Sequence, residues 1–319
     1  MRRFPPLDLA QVRTYPLGKR PSKVATGALG VPHRANGSVR DLLAALPDVL
    51  AARDLRAIAA AIASRQRAGK TIVLGMGAHP IKVGLSPLII DLMEREVLHA
   101  VAMNGAAIIH DFELAYQGET SEDVAAHLPD GRFGMAQETG EFLNRAIVQG
   151  AQAGLGLGQS VGREIARAAL PHQRLSILAA ADRLAIPATV HVAIGTDIIH
   201  MHPSADGAAI GSTSLADFRA LAAVAAGMDG GVFINLGSAV VIPETFLKAL
   251  NLARNVGATV ADLVTVDMDF LRHYRPHVNV VQRPTLGSGR GYELTGHHEI
   301  MFPLLCAAIT EEMERPTRA

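Results

Sequence analysis

From Lys70 onward, short β-branched apolar runs alternate with longer segments whose apolar residues recur every three or four positions. TIVLG is followed by IKVGLSPLIIDLMERE, and HAVAMN by a segment whose spacing predicts a helix from near His110. Further helices are predicted around 138–169 and 174–184. ATVHVAI, LADFRALAAVAA, GVFINLG, PETFLKALNLARN, TVADLVTVD and NVV then continue the alternation, and a closing helix is predicted from about Glu299. The apolar runs have the length of buried strands, and the periodic segments that of amphipathic helices. Such alternation predicts an α/β fold with a mostly parallel sheet covered by helices on both faces.

Upstream the pattern differs. Residues 1–37 are rich in Pro, Gly and basic side chains (YPLGKRPSKV, VPHRANG) and form an expected N-terminal arm that wraps a neighbour or covers a site. Ser38 offers an N-cap to a long Ala- and Leu-rich segment ending at Gly69, which Pro47 divides into two helices. The expected organisation is thus an arm over 1–37 and a single domain over 38–319.

Composition narrows the function classes. Thirty Lys+Arg balance 30 Asp+Glu, which leaves no basic excess to hold nucleic acid or an anionic membrane. Lysine is confined to Lys19, Lys23, Lys70, Lys82 and Lys248, so a lysine-dependent mechanism has few candidates. The single cysteine, Cys306, lies in the apolar run MFPLLCAAI, where a buried inert thiol is expected. With no apolar leader in MRRFPPLDLAQVR and no apolar stretch of membrane-spanning length, a soluble cytoplasmic protein is expected.

In a parallel sheet, ligands bind beyond the carboxyl ends of the strands. Four post-strand segments carry the candidate chemistry. GMGAHPIKVG offers Gly75 and Gly77 for close backbone approach. NGAAIIHDFE combines Asn104 and Gly105 with the adjacent pair His110 and Asp111, whose functional role would be proton transfer or substrate orientation. GTDIIHMHPSADG carries Asp197, His200 and His202, and LGSAVVIP leaves room at Gly237 and Ser238. The alternative for His110-Asp111 is a helix cap, and Glu119, Glu122 and Asp123 are read as a solvated helix start. A second possibility is a metal-assisted lyase or hydrolase, with His200 and His202 joined by Asp197, His110, His191, His297 or His298. No HExxH-type spacing supports it, and no metal site is assigned.

Several of these segments, in order, resemble deoxyhypusine synthase, an NAD-dependent family that moves an aminobutyl group from spermidine to a protein lysine. LGSAVV is similar to its glycine-rich nicotinamide loop, KALNLARNVGA to its asparagine-rich helix, IMFPLLCAAITEEM to its closing helix, and IPATVHVAIGTD with IIHMH to its acidic segment. GMGAHPIKVG and AMNGAAIIHDFE occupy the places of two further cofactor loops, so the resemblance spans residues 40–314. It implies a Rossmann-like NAD-binding fold and a homodimer or homotetramer acting on a small molecule. It also implies cofactor contacts from Gly75, Gly77, Ala78, His79, Asn104, Gly105, Gly237, Ser238, Asp267 and His297. Catalysis would fall to His110, Asp111, Asp197 and His200.

The departures are as informative. The family's tryptophan-glycine-lysine segment supplies an imine-forming lysine, whereas VVQRPTLGSGRGYELTGHH has no lysine and the chain has no Trp. Guanidinium groups of Arg283 or Arg290 stay protonated and cannot replace it. The family's acid pair gives way to Ile109-His110-Asp111, and its Asp near the closing helix to His297-His298. Locally, over 100–120, HDFE also resembles archaeal-type NAD-dependent ornithine cyclodeaminases. The expectation is an NAD-dependent transferase or lyase that transiently oxidises a small amine or amino-acid-like metabolite, and not deoxyhypusine synthesis itself. A paralogue that binds NAD without catalysis is the other alternative.

Overall fold

The computed structural model describes residues 4–315. Residues 4–37 carry only three short 3-10 turns and lie almost wholly exposed; backbone bonds from Val31 N–H to Ala45 O and from Asp48 N–H to Ala28 O tie the end of this segment to residues 45–48. Ser38 caps α1 (Val39–Ala45) through a reciprocal bond with Asp41, and α2 (Leu50–Arg67) starts after the break at Pro47, as predicted.

Next come β1 (Ile72–Met76), α3 (His79–Lys82), α4 (Ser86–Glu94), β2 (Ala100–Asn104), α5 (Gly105–Gln117), α6 (Val124–His127), α7 (Gln137–Gln152), α8 (Leu157–Ala168), α9 (Ile177–Leu184) and β3 (Ala188–His191). The rest comprises α10 (Gly207–Ala226), β4 (Val232–Leu236), α11 (Val241–Asn255), β5 (Val264–Asp269), α12 (Tyr274–Pro276), β6 (Arg290–Thr295) and α13 (His298–Met313). All six strands are parallel, in the order β3-β2-β1-β4-β5-β6. This is the expected Rossmann-like α/β architecture.

Strand alternation builds the two cores. Ile72, Leu74 and Met76 pack with Ile58, Ile62, Ile89 and Phe302 of α2, α4 and α13 on one face. Val73 and Phe233 meet Leu221, Phe246 and Leu250 of α10 and α11 on the other. Cys306 is buried in α13, where desolvation pushes its thiol up to about 12, so it is an inert core group. The outer edge of β3 is covered by side chains: Asp217 Oδ2 accepts from Val190 N–H (2.7 Å), and Ser214 Oγ donates to Val190 O (3.1 Å).

Three local expectations change. The helix expected from near His110 begins at Gly105, because the Asn104 side chain accepts from Ala107 N–H (3.2 Å) and caps it. The segment containing NVV is a π-helix over His277–Gln282, held where Asn279 donates to Glu244 and accepts from Arg283. The sixth strand is instead RGYELT, whose mixed burial hides the strand signal.

Candidate functional site

β1 leads away through α3 and α4 to β2 on one side, whereas β4 lies on its other side, so the strand order reverses between β1 and β4. Open α/β sheets form a crevice at such a point. Here the two glycine loops touch directly. Gly77 N–H donates to Leu236 O (3.1 Å), and a Cβ on Gly77 would stand 2.3 Å from Gly237 O. Gly237 adopts φ +65°, donates to Met268 O (2.9 Å), and has the His298 ring 2.9 Å from where its Cβ would lie. The glycines serve loop crossing before ligand approach. Gly75 departs further from expectation: it sits inside β1, and its missing side chain makes room for Ile242 and Phe233.

On the β4–β6 side, Asn235 and Asp267 face each other in register. Asn235 Nδ2 donates to Asp267 Oδ1 (2.8 Å) and to Ser238 O (2.9 Å), while Ser238 Oγ accepts from Ile242 N–H (3.3 Å) at the start of α11. Burial pushes the Asp267 carboxyl up to about 6, against the opposing Asn235 bond. The adjacent histidines exchange their expected roles: His297 is 72% exposed, whereas the side chain of His298 is 1% exposed. His298 Nε2 donates to Met268 O (3.3 Å) and lies 3.8 Å from Asp269 Oδ1, with the His79 ring 5.3 Å away. Desolvation lowers the His298 pKa and keeps the ring neutral, and among the described residues its buried Nδ1 has no partner. The sequence names His298 among possible metal ligands and leaves Asp269 aside; it offers no means to choose between two neighbouring histidines for the cofactor.

On the β2–β3 side, Asp197 packs over Gly105: a Cβ there would lie 2.0 Å from Asp197 Oδ2. His200 Nδ1 accepts from Gly195 N–H (3.1 Å) and Asp197 N–H (3.3 Å), which leaves the ring proton on Nε2. That Nε2 stands 4.0 Å from Asp197 Oδ2, too far for a hydrogen bond, and neither buried atom has a partner among the described residues. Burial pushes Asp197 up to about 6 and lowers His200. His202 turns elsewhere, its Nε2 bonding Gly134 O (2.9 Å) and its ring filling the space over Gly140. His200 and His202 therefore do not form the ligand pair considered from their spacing, and among the described residues no three His, Cys, Asp or Glu side chains are grouped to hold a metal ion.

The third cluster lies along α5. The Thr120 hydroxyl donates to Glu113 Oε2 (2.6 Å) and meets His110 Nδ1 at 2.7 Å, so it accepts the Nδ1 proton. Thr139 Oγ1 donates to Glu113 Oε1 (3.2 Å). Desolvation, and secondarily the charge of Lys82, push His110 down to about 4, so the ring is neutral at pH 7 with Nε2 unprotonated. Its neighbour Asp111 does not join this cluster. Fully buried, it accepts from Ser176 Oγ (2.5 Å), Ile177 N–H (2.7 Å) and Leu178 N–H (3.3 Å), thereby anchoring the start of α9. The expected catalytic pair separates: His110 stays in this cluster, and Asp111 is a structural cap. A cavity of about 590 Å³ beside β3 belongs to none of these clusters; its buried acid, Asp217, is taken up by Gly158 and Val190 N–H.

No protein family and no curated protein matches the sequence. Solved structures do. ArgZ, an arginine dihydrolase from the ornithine-ammonia cycle in cyanobacteria, is 18% identical with TM-score 0.51, over 83% of this chain and 32% of ArgZ. AgrE in ternary complex with ornithine and NAD+ is 14% identical with TM-score 0.51, over 81% of this chain and 33% of AgrE. A provisionally assigned deoxyhypusine synthase from Entamoeba histolytica is 11% identical with TM-score 0.51, over 90% of this chain and 98% of that one. The chain thus spans about a third of the length of ArgZ and AgrE. At these identities the likeness shows the fold, which is the deoxyhypusine synthase-like one expected from the sequence.

Proposed function

We propose that the chain is an NAD-dependent enzyme that transiently oxidises a small polar amine or amino-acid-like metabolite, with His110 as its base. The observation that carries this reading is the reversal of strand order between β1 and β4, where two glycine loops meet between clusters of buried polar groups without partners among the described residues. Those groups suit a dinucleotide. Asp197 Oδ2 and His200 Nε2–H offer an acceptor and a donor to hydroxyls at the β2–β3 side. NAD, when bound, supplies a ring that accepts hydride. The protein's part is to orient the substrate and to take up the proton released with oxidation, which His110 Nε2 is set to do.

The AgrE complex with ornithine and NAD+ supports the substrate and cofactor class. The absence of lysine from residues 280–298 argues against an imine-forming transferase of the synthase kind. We also propose a homodimer or homotetramer: Phe270, Leu271, Tyr274 and Ile300 leave large apolar surfaces exposed after β5 and on α13. Calorimetric titration with NAD tests the reading. Saturable binding is expected, weakened in Asp197→Ala and retained in His110→Ala; no binding at millimolar NAD overturns it.

A further inference from the structure

The His110–Thr120–Glu113 chain can do more than hold a ring in place. We infer that it is a proton relay: His110 takes a proton at Nε2 and releases its Nδ1 proton to the Thr120 oxygen, whose own hydroxyl proton passes to Glu113 Oε2. The N–H bond at Nδ1 and the O–H bond of Thr120 break while new bonds form at Nε2, at the Thr120 oxygen and at Glu113. The relay ends with a neutral imidazole in its other tautomer and a protonated carboxyl. No imidazolium is required.

Geometry and electrostatics agree on this. The two links measure 2.7 Å and 2.6 Å, and a single hydroxyl serves both, so reversing one bond reverses the other. Among the described residues His110 Nε2 has no hydrogen-bond partner, and the side chain keeps 16% of its surface open. The charged groups around the chain favour the neutral ring and the protonated acid. Lys82 on α3 opposes a charged His110. Burial raises Glu113, Glu122 adds to that, and the bonds from Thr120, Thr139 and Ser121 N–H oppose it. A base that became imidazolium here would meet both desolvation and Lys82, whereas one that passes its charge change to Glu113 avoids both. Thr120 was not legible in the sequence as a partner of His110, since no spacing rule links positions 110, 113 and 120.

The inference rests on His110 being the base of the proposed reaction, and nitrogen NMR of the histidine ring tests it without any substrate. In the wild-type chain the ring is expected to be protonated on Nδ1 near neutral pH. As pH falls through the titration of Glu113 it should switch to the Nε2-protonated tautomer, before the imidazolium forms at about 4. Thr120→Val should abolish the coupled switch, and Thr120→Ser should restore it. An Nε2-protonated ring at neutral pH, or a switch that survives in Thr120→Val, overturns the relay. A hydrogen bond that only holds the ring would leave the tautomer unchanged as Glu113 titrates, and that result also overturns it. Failure to bind NAD would instead count against the proposed function and leave this outcome independent.

Discussion

His110 and Asp111 are neighbours in sequence and about 100° apart around α5, which sends one ring towards Thr120 and the other side chain under α9. Their substitutions should separate accordingly. Asp111→Ala leaves the Ser176 hydroxyl and two backbone N–H groups of α9 unsatisfied in a fully buried place, at a cost of about 3 kcal/mol. Denaturant unfolding should show that loss for Asp111→Ala and little change for His110→Ala. Asp267 supplies a pH test. Its folded pKa of about 6 lies above the ordinary carboxylate value, so the folded state holds a proton that the unfolded state gives up between about pH 4 and 6. Its contribution is therefore full below that window and lost as pH rises through it. Asp267→Asn keeps an acceptor for Asn235 but carries no charge, so its stability relative to wild type should rise between pH 4 and 6; a constant difference would count against the burial argument.

At the scale of elements, the β1 and β4 loops position everything else. Their contact at Gly77 and Gly237 leaves no room for a methyl group. Gly77→Ala should destabilise the fold by about 1–3 kcal/mol and weaken NAD binding, because the two loops must separate; an unchanged melting temperature would contradict the crossing. The alternation of strands and helices was plain in the sequence, since it rests on local periodicity. The sixth strand was not, because RGYELT lies at the sheet edge with a partly exposed pattern, and the π-helix before it is fixed by distant partners such as Glu244. The same limit governs the site. Glycine positions and the loops to inspect were legible, but Asp197 over Gly105, His298 beside Gly237, and Thr120 between His110 and Glu113 are meetings that no spacing encodes.

At the scale of the whole molecule, the sheet order puts three polar clusters at the carboxyl ends of its strands or on the helix after β2, with apolar side chains exposed at the same end. Light scattering should give the mass of a dimer or tetramer, and charged substitution at Phe270 and Leu271 should shift it towards monomer; an unchanged mass would remove those residues from the interface. The central claim is that the switch point between β1 and β4 takes NAD with its reactive ring facing the His110 cluster. A crystal structure with NAD soaked in tests this most directly. Density along the Gly77 and Gly237 loops, with ribose hydroxyls on Asp197 and the nicotinamide ring on the His110 side, is the predicted result. Ordered NAD elsewhere on the chain, or a crevice that stays closed around the Gly77–Gly237 contact, would contradict it.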